Sequence, residues 1–373
     1  MKKIGIIGCG IAGLALASLL KKSLDFDISI FEKDIIQDTN VSGIQISPNG
    51  KKVLSHLNFS NFQKDNFCSI KKISFFDMVS SSRISDMNLN YLKNESYITL
   101  NRSELIKFLI HEYSLSKNII KQKVVSFDEK KIILEDNNQL EFDIIIVADG
   151  IFSKLRINNI KPVYSGYSAI RGFYKNLEIE DHIDVCLGKN CHLVKYPIDK
   201  KLNKSFTLVK KIELKQDINH YNYSLENFFN DYKDIIPQDH HEIFKTTKTV
   251  IWPIYKLNKI FYGHDKSIFI GDSAHGFIPS RAQGASMALE DSMHLFNLIN
   301  KNLFSADKLS KLRQKRILKV INKSENNLII FHLSSFVLRN IRNQIIKIIC
   351  KIHFLTKTIN SYIFDYNANK SDF

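Results

Sequence analysis

Apolar positions along the chain fall into two textures: continuous β-branched runs that stop at glycines, and segments with helical or alternating spacing. Ile4-Gly5-Ile6-Ile7 is the first run; it stops at Gly8, and Leu14 to Lys22 then reads as an apolar helix. Asp27-Ile28-Ser29-Ile30-Phe31 makes the next strand and ends on Glu32. Asp143 to Val147 has the continuous character of a strand buried on both faces, and it runs out at Asp149-Gly150 with Ser153 and Arg156 just beyond. Ile268-Phe269-Ile270 stops on Gly271-Asp272, and a glycine-containing loop through Pro279 leads to a helix opening at about Gly284. Three strands thus finish in glycine-rich turns, and ligands of open α/β sheets sit outside the carboxyl ends of strands.

Ser42 to Asn49 reads as a polar loop with a Gly and a Pro, followed by a helix from about Gly50. Asn101-Arg102-Ser103-Glu104 has the form of a capping box, Asn at N-cap and Glu at N3, before Leu105, Phe108 and Leu109 at helical spacing. Between about 160 and 256 the texture changes to short, partly alternating strands such as Cys191–Tyr196 and Ser205–Val209. Leu225, Phe228, Phe229 and Tyr232 mark one helix there, started by Ser224. From about Asp307 the periodicity is helical to the end. The expected fold is therefore α/β, a Rossmann-like domain with a parallel sheet, an inserted and mostly antiparallel sheet domain, and C-terminal helices. The boundaries are 1–160 for the first part of the nucleotide domain (with a short insertion of the other domain at about 65–100), 161–256 for the sheet domain, 257–305 for the second part of the nucleotide domain, and 306–373 for the terminal helices.

The first glycine turn carries the chemistry. Gly8-x-Gly10-x-x-Gly13 between a strand and a helix, with Glu32 about 20 residues on, is the arrangement of a dinucleotide-binding βαβ unit. Gly8 permits the tight turn, Gly10 lets a pyrophosphate approach the backbone, and Gly13 lets helix and strand pack closely. Met1-Lys2-Lys3 and the apolar residues through Leu20 also look like a secretory signal, but four glycines interrupt the run and cleavage would destroy the βαβ unit. The signal is rejected.

Composition adds little and removes more. The five cysteines show neither zinc spacing nor a C-x-x-C pair, so neither a metal site nor a disulfide framework is expected. No apolar run is long and uncharged enough to span a bilayer. The formal net charge of +15 comes from lysines scattered among Ile and Asn, without a nucleic-acid module. Residues 311–373 hold twelve Lys/Arg against Glu325, Asp365 and Asp372, a basic face read here as solvated, with peripheral membrane contact not expected. A cytoplasmic monomer or homodimer binding no nucleic acid is the corresponding expectation.

These residues together resemble the FAD-dependent aromatic-ring hydroxylases (group A flavoprotein monooxygenases) over essentially the whole chain. The resemblance rests on Gly8-x-Gly10-x-x-Gly13 with Glu32, on Arg102-Ser-Glu-Leu105, on Asp149-Gly150 with Arg156, and on Gly271-Asp272. Pro279-x-x-Ala282-Gln283-Gly284-Ala285 is similar to the salicylate and 3-hydroxybenzoate hydroxylase branch, as are His332-Leu333 with Arg339 and Arg342, and the closing Tyr362 to Ala368 segment. That branch ends in W-x-Y-x-Y-D-A; here Tyr362 replaces Trp and Asn367 replaces Asp.

The resemblance implies roles. Gly8, Gly10, Ile11, Ala12 and Gly13 would hold the FAD pyrophosphate, Glu32 with Lys33 the adenosine ribose, and Val124 would lie near the adenine. Arg102, Gln45 and Asp149 would contact the cofactor, and Asp272 its ribityl and pyrophosphate portion. Gly284 and Ala285 N–H groups would face the isoalloxazine, with Pro279 bordering its substrate side. NADH or NADPH would reduce FAD without a domain of its own, and a flavin C4a-hydroperoxide formed with O₂ would hydroxylate a small phenol or aromatic acid. His192 is the expected base, because an imidazole titrating near neutral pH suits a phenol proton; His275 is read as structural. A larger multi-ring or quinone-like substrate, of the tetracycline-inactivating type, and a non-catalytic flavin-binding protein are the alternatives.

Overall fold

The computed structural model describes residues 1–23, 25–34, 42–92, 96–128, 130–157, 159–212, 249–264 and 267–370. Six strands form one sheet in the spatial order Gly263–His264, Ser267–Phe269, Ile144–Val147, Lys2–Ile7, Phe26–Phe31, Ile119–Ile120. All neighbours are parallel except the first pair. Ile144 to Val147 are buried throughout, as an all-apolar central strand requires. The helices Ile11–Ser23 and Gly284–Asn300 pack against each other beside this sheet. Both begin at its carboxyl edge.

A second sheet of seven strands runs Val250–Leu257, Pro162–Lys175, Asn203–Lys211, Cys191–Pro197, His182–Leu187, Lys72–Asp77, Arg83–Asn88. It is antiparallel except between His182–Leu187 and Lys72–Asp77. Two of its strands therefore come from the insertion near residue 70, far from the other five in sequence. The helices Ala306–Phe331, Phe336–Lys351 and His353–Phe364 follow the nucleotide domain. Among the described residues all five cysteines are free, and no helix is long and apolar enough to cross a membrane. The helix expected at Ser224 to Tyr232 lies outside the described residues.

Three local expectations are corrected. The polar loop at Ser42 contains a strand, Gly43–Ile46, paired antiparallel with Tyr97–Asn101, and the helix begins at Pro48 rather than near Gly50. Proline at the first helical position costs no hydrogen bond, so it marks the start better than the glycine after it. The capping box is half made: Asn101 accepts from Ser103 N at 3.0 Å, while Glu104 turns away to Asn66 and Lys107. Asn101 is the last residue of the strand Tyr97–Asn101, and Glu104 makes its contacts away from it. The basic C-terminal face is not wholly solvated either, because Arg313, Arg316 and Arg342 are buried.

Candidate active site

Backbone geometry separates the three glycines of the first turn. Gly8 has φ +108, and a Cβ there would sit 2.4 Å from Ala148 O; a Cβ on Gly13 would sit 2.1 Å from Gly8 O. Both positions exclude any side chain because backbone already occupies the space. Gly10 differs, since the nearest atom to its Cβ position is Arg102 Nη2 at 3.8 Å. Gly150 and Gly284 have no atom within 4 Å of theirs. Gly10, Gly150 and Gly284 all open into one cavity of about 1390 Å³.

That cavity gathers Gly10, Ile11, Ala12, Gln45, Arg102, Asp272, Pro279, Gly284 and Ala285 from the residues expected to hold the cofactor. Gly8 and Gly13 lie behind its wall as turn positions, and Asp149, exposed just past its strand, does not line it. Glu32, Lys33 and Val124 do not line it either. Glu32 accepts Cys9 N at 2.9 Å and Asp34 N at 3.2 Å, which ties the second strand's end to the glycine turn. Lys33 is exposed and 3.8 Å from Asp34. Val124 starts a strand of a small separate sheet, paired with Leu134.

Desolvation by the surrounding protein raises the Asp272 carboxyl above its ordinary range, with His275 and Arg102 pulling the other way. Burial lowers the Arg102 guanidinium, while Asp272 and Glu32 oppose that shift. The N-terminal ends of two helices, of 13 and 17 residues, open beside this pair. Free N–H groups at both ends, an adjacent cation and an acid suit a long ligand with central negative charge and sugar hydroxyls. The volume exceeds the ~300–1,000 Å³ typical for one drug-sized ligand. The residues present thus fit the FAD that the resemblance implies, with room left over.

The start of the helix Gly284–Asn300 is held by a buried polar network. Asp291 accepts His275 Nε2 at 2.6 Å, Gly271 N at 2.9 Å and Arg313 Nε at 2.7 Å. Glu290 accepts Arg313 Nη1 at 2.6 Å, Arg316 Nε at 2.7 Å and Asn49 Nδ2 at 2.7 Å. Two carboxylates meet two guanidiniums out of water, a balance that burial demands. His275 is structural in this sense, as expected. Gln283 Nε2 donates to Ser47 Oγ at 3.0 Å, and Ala282 is held at φ 52. A left-handed alanine costs roughly 1–2 kcal/mol and persists here through such anchors; strain of this kind collects at binding turns.

The opposite wall is one face of the seven-stranded sheet. Ile73, Phe75, Ile183, Val185, Val194 and Val209 face inward at alternate positions, giving an apolar lining. His192 lies on this face, 2% exposed, with Nδ1 2.7 Å from His332 Nε2. Burial first, then the neighbouring His332, pushes His192 well below the ordinary imidazole range; burial takes His332 down to about 4. Both rings are therefore neutral at pH 7, joined by one N–H···N bond. The near-neutral titration expected of His192 is corrected accordingly.

Sequence reading also missed two cavity arginines. Arg171 comes from an inward position of an alternating strand, and Arg281 precedes Ala282 in the turn before the helix Gly284–Asn300. Arg281 donates to Asn360 at 3.3 Å. A cation at an inward-facing strand position was the signal available for Arg171.

The family model described as squalene epoxidase matches residues 142–350, and a model of an NAD(P)-binding Rossmann-like domain matches 6–36. The chain is 25% identical over 337 residues to the FAD-dependent monooxygenase adrH of Penicillium rubens, covering 83% of this chain and 70% of that protein. It is 23% identical over 333 residues to 3-hydroxybenzoate 6-hydroxylase 1 of Aquipseudomonas alcaligenes, covering 83% and 84%. Among solved structures, Klebsiella pneumoniae HpxO complexed with FAD and uric acid superposes with a TM-score of 0.80 at 19% identity, covering 96% of this chain and 97% of that one.

Proposed function

The chain belongs to the FAD-dependent aromatic-ring hydroxylases, the group A flavoprotein monooxygenases, and from that premise we propose that it hydroxylates a small aromatic substrate, a phenol or aromatic acid, with FAD as cofactor and NADH or NADPH as reductant. One observation carries the reading: a single cavity joins the Gly10, Arg102, Asp272 and Gly284 cradle to an apolar sheet face bearing a histidine pair. Bound FAD supplies the oxygen-transfer chemistry once reduced and exposed to O₂. Gly10, Ile11 and Ala12 hold the pyrophosphate, and the N–H groups of Gly284 and Ala285 offset negative charge on the reduced ring. The apolar sheet face excludes water from the reacting atoms.

His192 takes the phenol proton, which raises the ring's nucleophilicity. A neutral imidazole held by a second imidazole passes charge across the 2.7 Å contact, so His332 is its positioning partner. The phenolate formed beside it stabilises the resulting imidazolium and so offsets its depressed basicity. His192→Ala is expected to retain FAD while NAD(P)H oxidation yields hydrogen peroxide in place of hydroxylated product. Unchanged product yield per NAD(P)H removes His192 from the role.

The size of the cavity favours a second reading, an extended or multi-ring substrate on the same machinery. Substrate-stimulated NADH and NADPH oxidation, measured across hydroxybenzoates and multi-ring phenols, separates the two. Absence of flavin reduction by either nucleotide removes both.

A further inference from the structure

The helix Phe336–Lys351 buries only one of its residues, Arg342. Leu338, Ile341, Ile345, Ile348 and Ile352 recur at intervals of three and four, and all five are exposed. That spacing places them on one side of a helix. Val337, 63% exposed, adjoins this strip at its start, and Phe354, 72% exposed, follows beyond its end. Soluble monomers rarely leave so continuous an apolar strip open to water.

Two features say what covers it. The first is charge: from Asn326 to Phe364 there is no Asp or Glu, while Lys347, Lys351 and Lys357 belong to this helix and the next. A second copy docking on the same strip would bring these cations against each other, whereas an anionic surface would neutralise them. The second is continuity with the cavity. Leu338, Ile341 and Ile345 line the cavity and are also exposed, as are Ile330 and Trp252, so the cavity mouth has an apolar rim on the same side. A basic helix with an apolar face matches what lies in the plane of a bilayer interface.

We infer that this helix docks the enzyme on an anionic bilayer surface, with the cavity mouth toward the lipid. The solvated basic face expected from sequence is in this respect a lipid-facing one. Docking does not depend on which ring is hydroxylated, and its readout is separate from turnover.

The test is flotation of the full-length, FAD-loaded protein with vesicles of 70% phosphatidylcholine and 30% phosphatidylglycerol, and with pure phosphatidylcholine vesicles. The protein is expected to float with the anionic vesicles and to be released by high salt. Ile348→Glu combined with Phe354→Glu, at two exposed positions outside the cavity wall, should abolish flotation while thermal unfolding and the flavin spectrum stay unchanged. Lys347→Gln with Lys351→Gln should weaken anionic binding by roughly fivefold per lysine. Failure of the wild-type protein to float with either vesicle overturns the inference, as does flotation unaltered by the glutamates. A wild-type dimer in light scattering that the glutamates dissolve, without vesicle binding, assigns the strip to a second copy and equally overturns it.

Discussion

Replacing Arg313 by Met removes the cation that bridges Glu290 and Asp291. In the native protein all three side chains are fully buried, with contacts of 2.6 and 2.7 Å. Glu290 keeps Arg316 and Asn49, but Asp291 keeps only His275 and the Gly271 N–H. The local balance changes from two carboxylates against two guanidiniums to two against one. Breaking a buried pair from one side costs about 3–5 kcal/mol, because the remaining charge stays desolvated. An unfolding entropy of about 2.1 cal/mol/K per residue gives roughly 0.8 kcal/mol per degree for this chain. The expected fall in Tm is then about 4–6 °C, read by circular dichroism at pH 7. Because Asp291 also holds Gly271, the Asp272 turn loosens, and FAD affinity should fall alongside stability. A Tm within about 1 °C of wild type would falsify the assignment of this network as the support of the cofactor turn.

Gly13→Ala and Gly10→Ala should behave oppositely. The first drives a Cβ to 2.1 Å from Gly8 O and is expected to cost on the order of 3 kcal/mol or more, measurable as lost soluble yield and a lowered melt. The second has space, so the FAD-free protein should melt normally while FAD binding, followed by flavin fluorescence, weakens by about tenfold or more. The histidine pair makes stability acid-sensitive. The folded state holds His332 at about 4, below the unfolded imidazole, so the unfolded chain binds more protons between pH 4 and about 6.5. Stability is then full above about 6.5 and falls by about 3 kcal/mol as pH drops toward 4. His332→Gln should flatten that part of a Tm-against-pH curve; an unchanged slope refutes the neutral pair.

Much of the nucleotide domain was legible because its information is local. Strand, glycine turn, helix and acid follow one another within the first 32 residues, and the backbone freedom needed at Gly8 belongs to glycine wherever the chain goes. The all-apolar run at Ile144 likewise announces burial on both faces without a partner being known. Gly43–Ile46 was not legible in that way, since a short polar segment becomes a strand only when Tyr97–Asn101 offers it hydrogen bonds. His192 could be placed on a strand, but its partner His332 is 140 residues away, and burial first, then that partner, sets its protonation. Arg313 and Arg316 looked like solvated members of a basic face until the fold set them against Glu290 and Asp291. Sequence alone determined the first βαβ elements and their glycine turn, because dihedral freedom and side-chain period are properties of neighbouring residues. Tertiary structure alone decided which charges are neutralised, which imidazole stays neutral and which apolar helix face remains uncovered, because desolvation depends on what distant segments bring alongside.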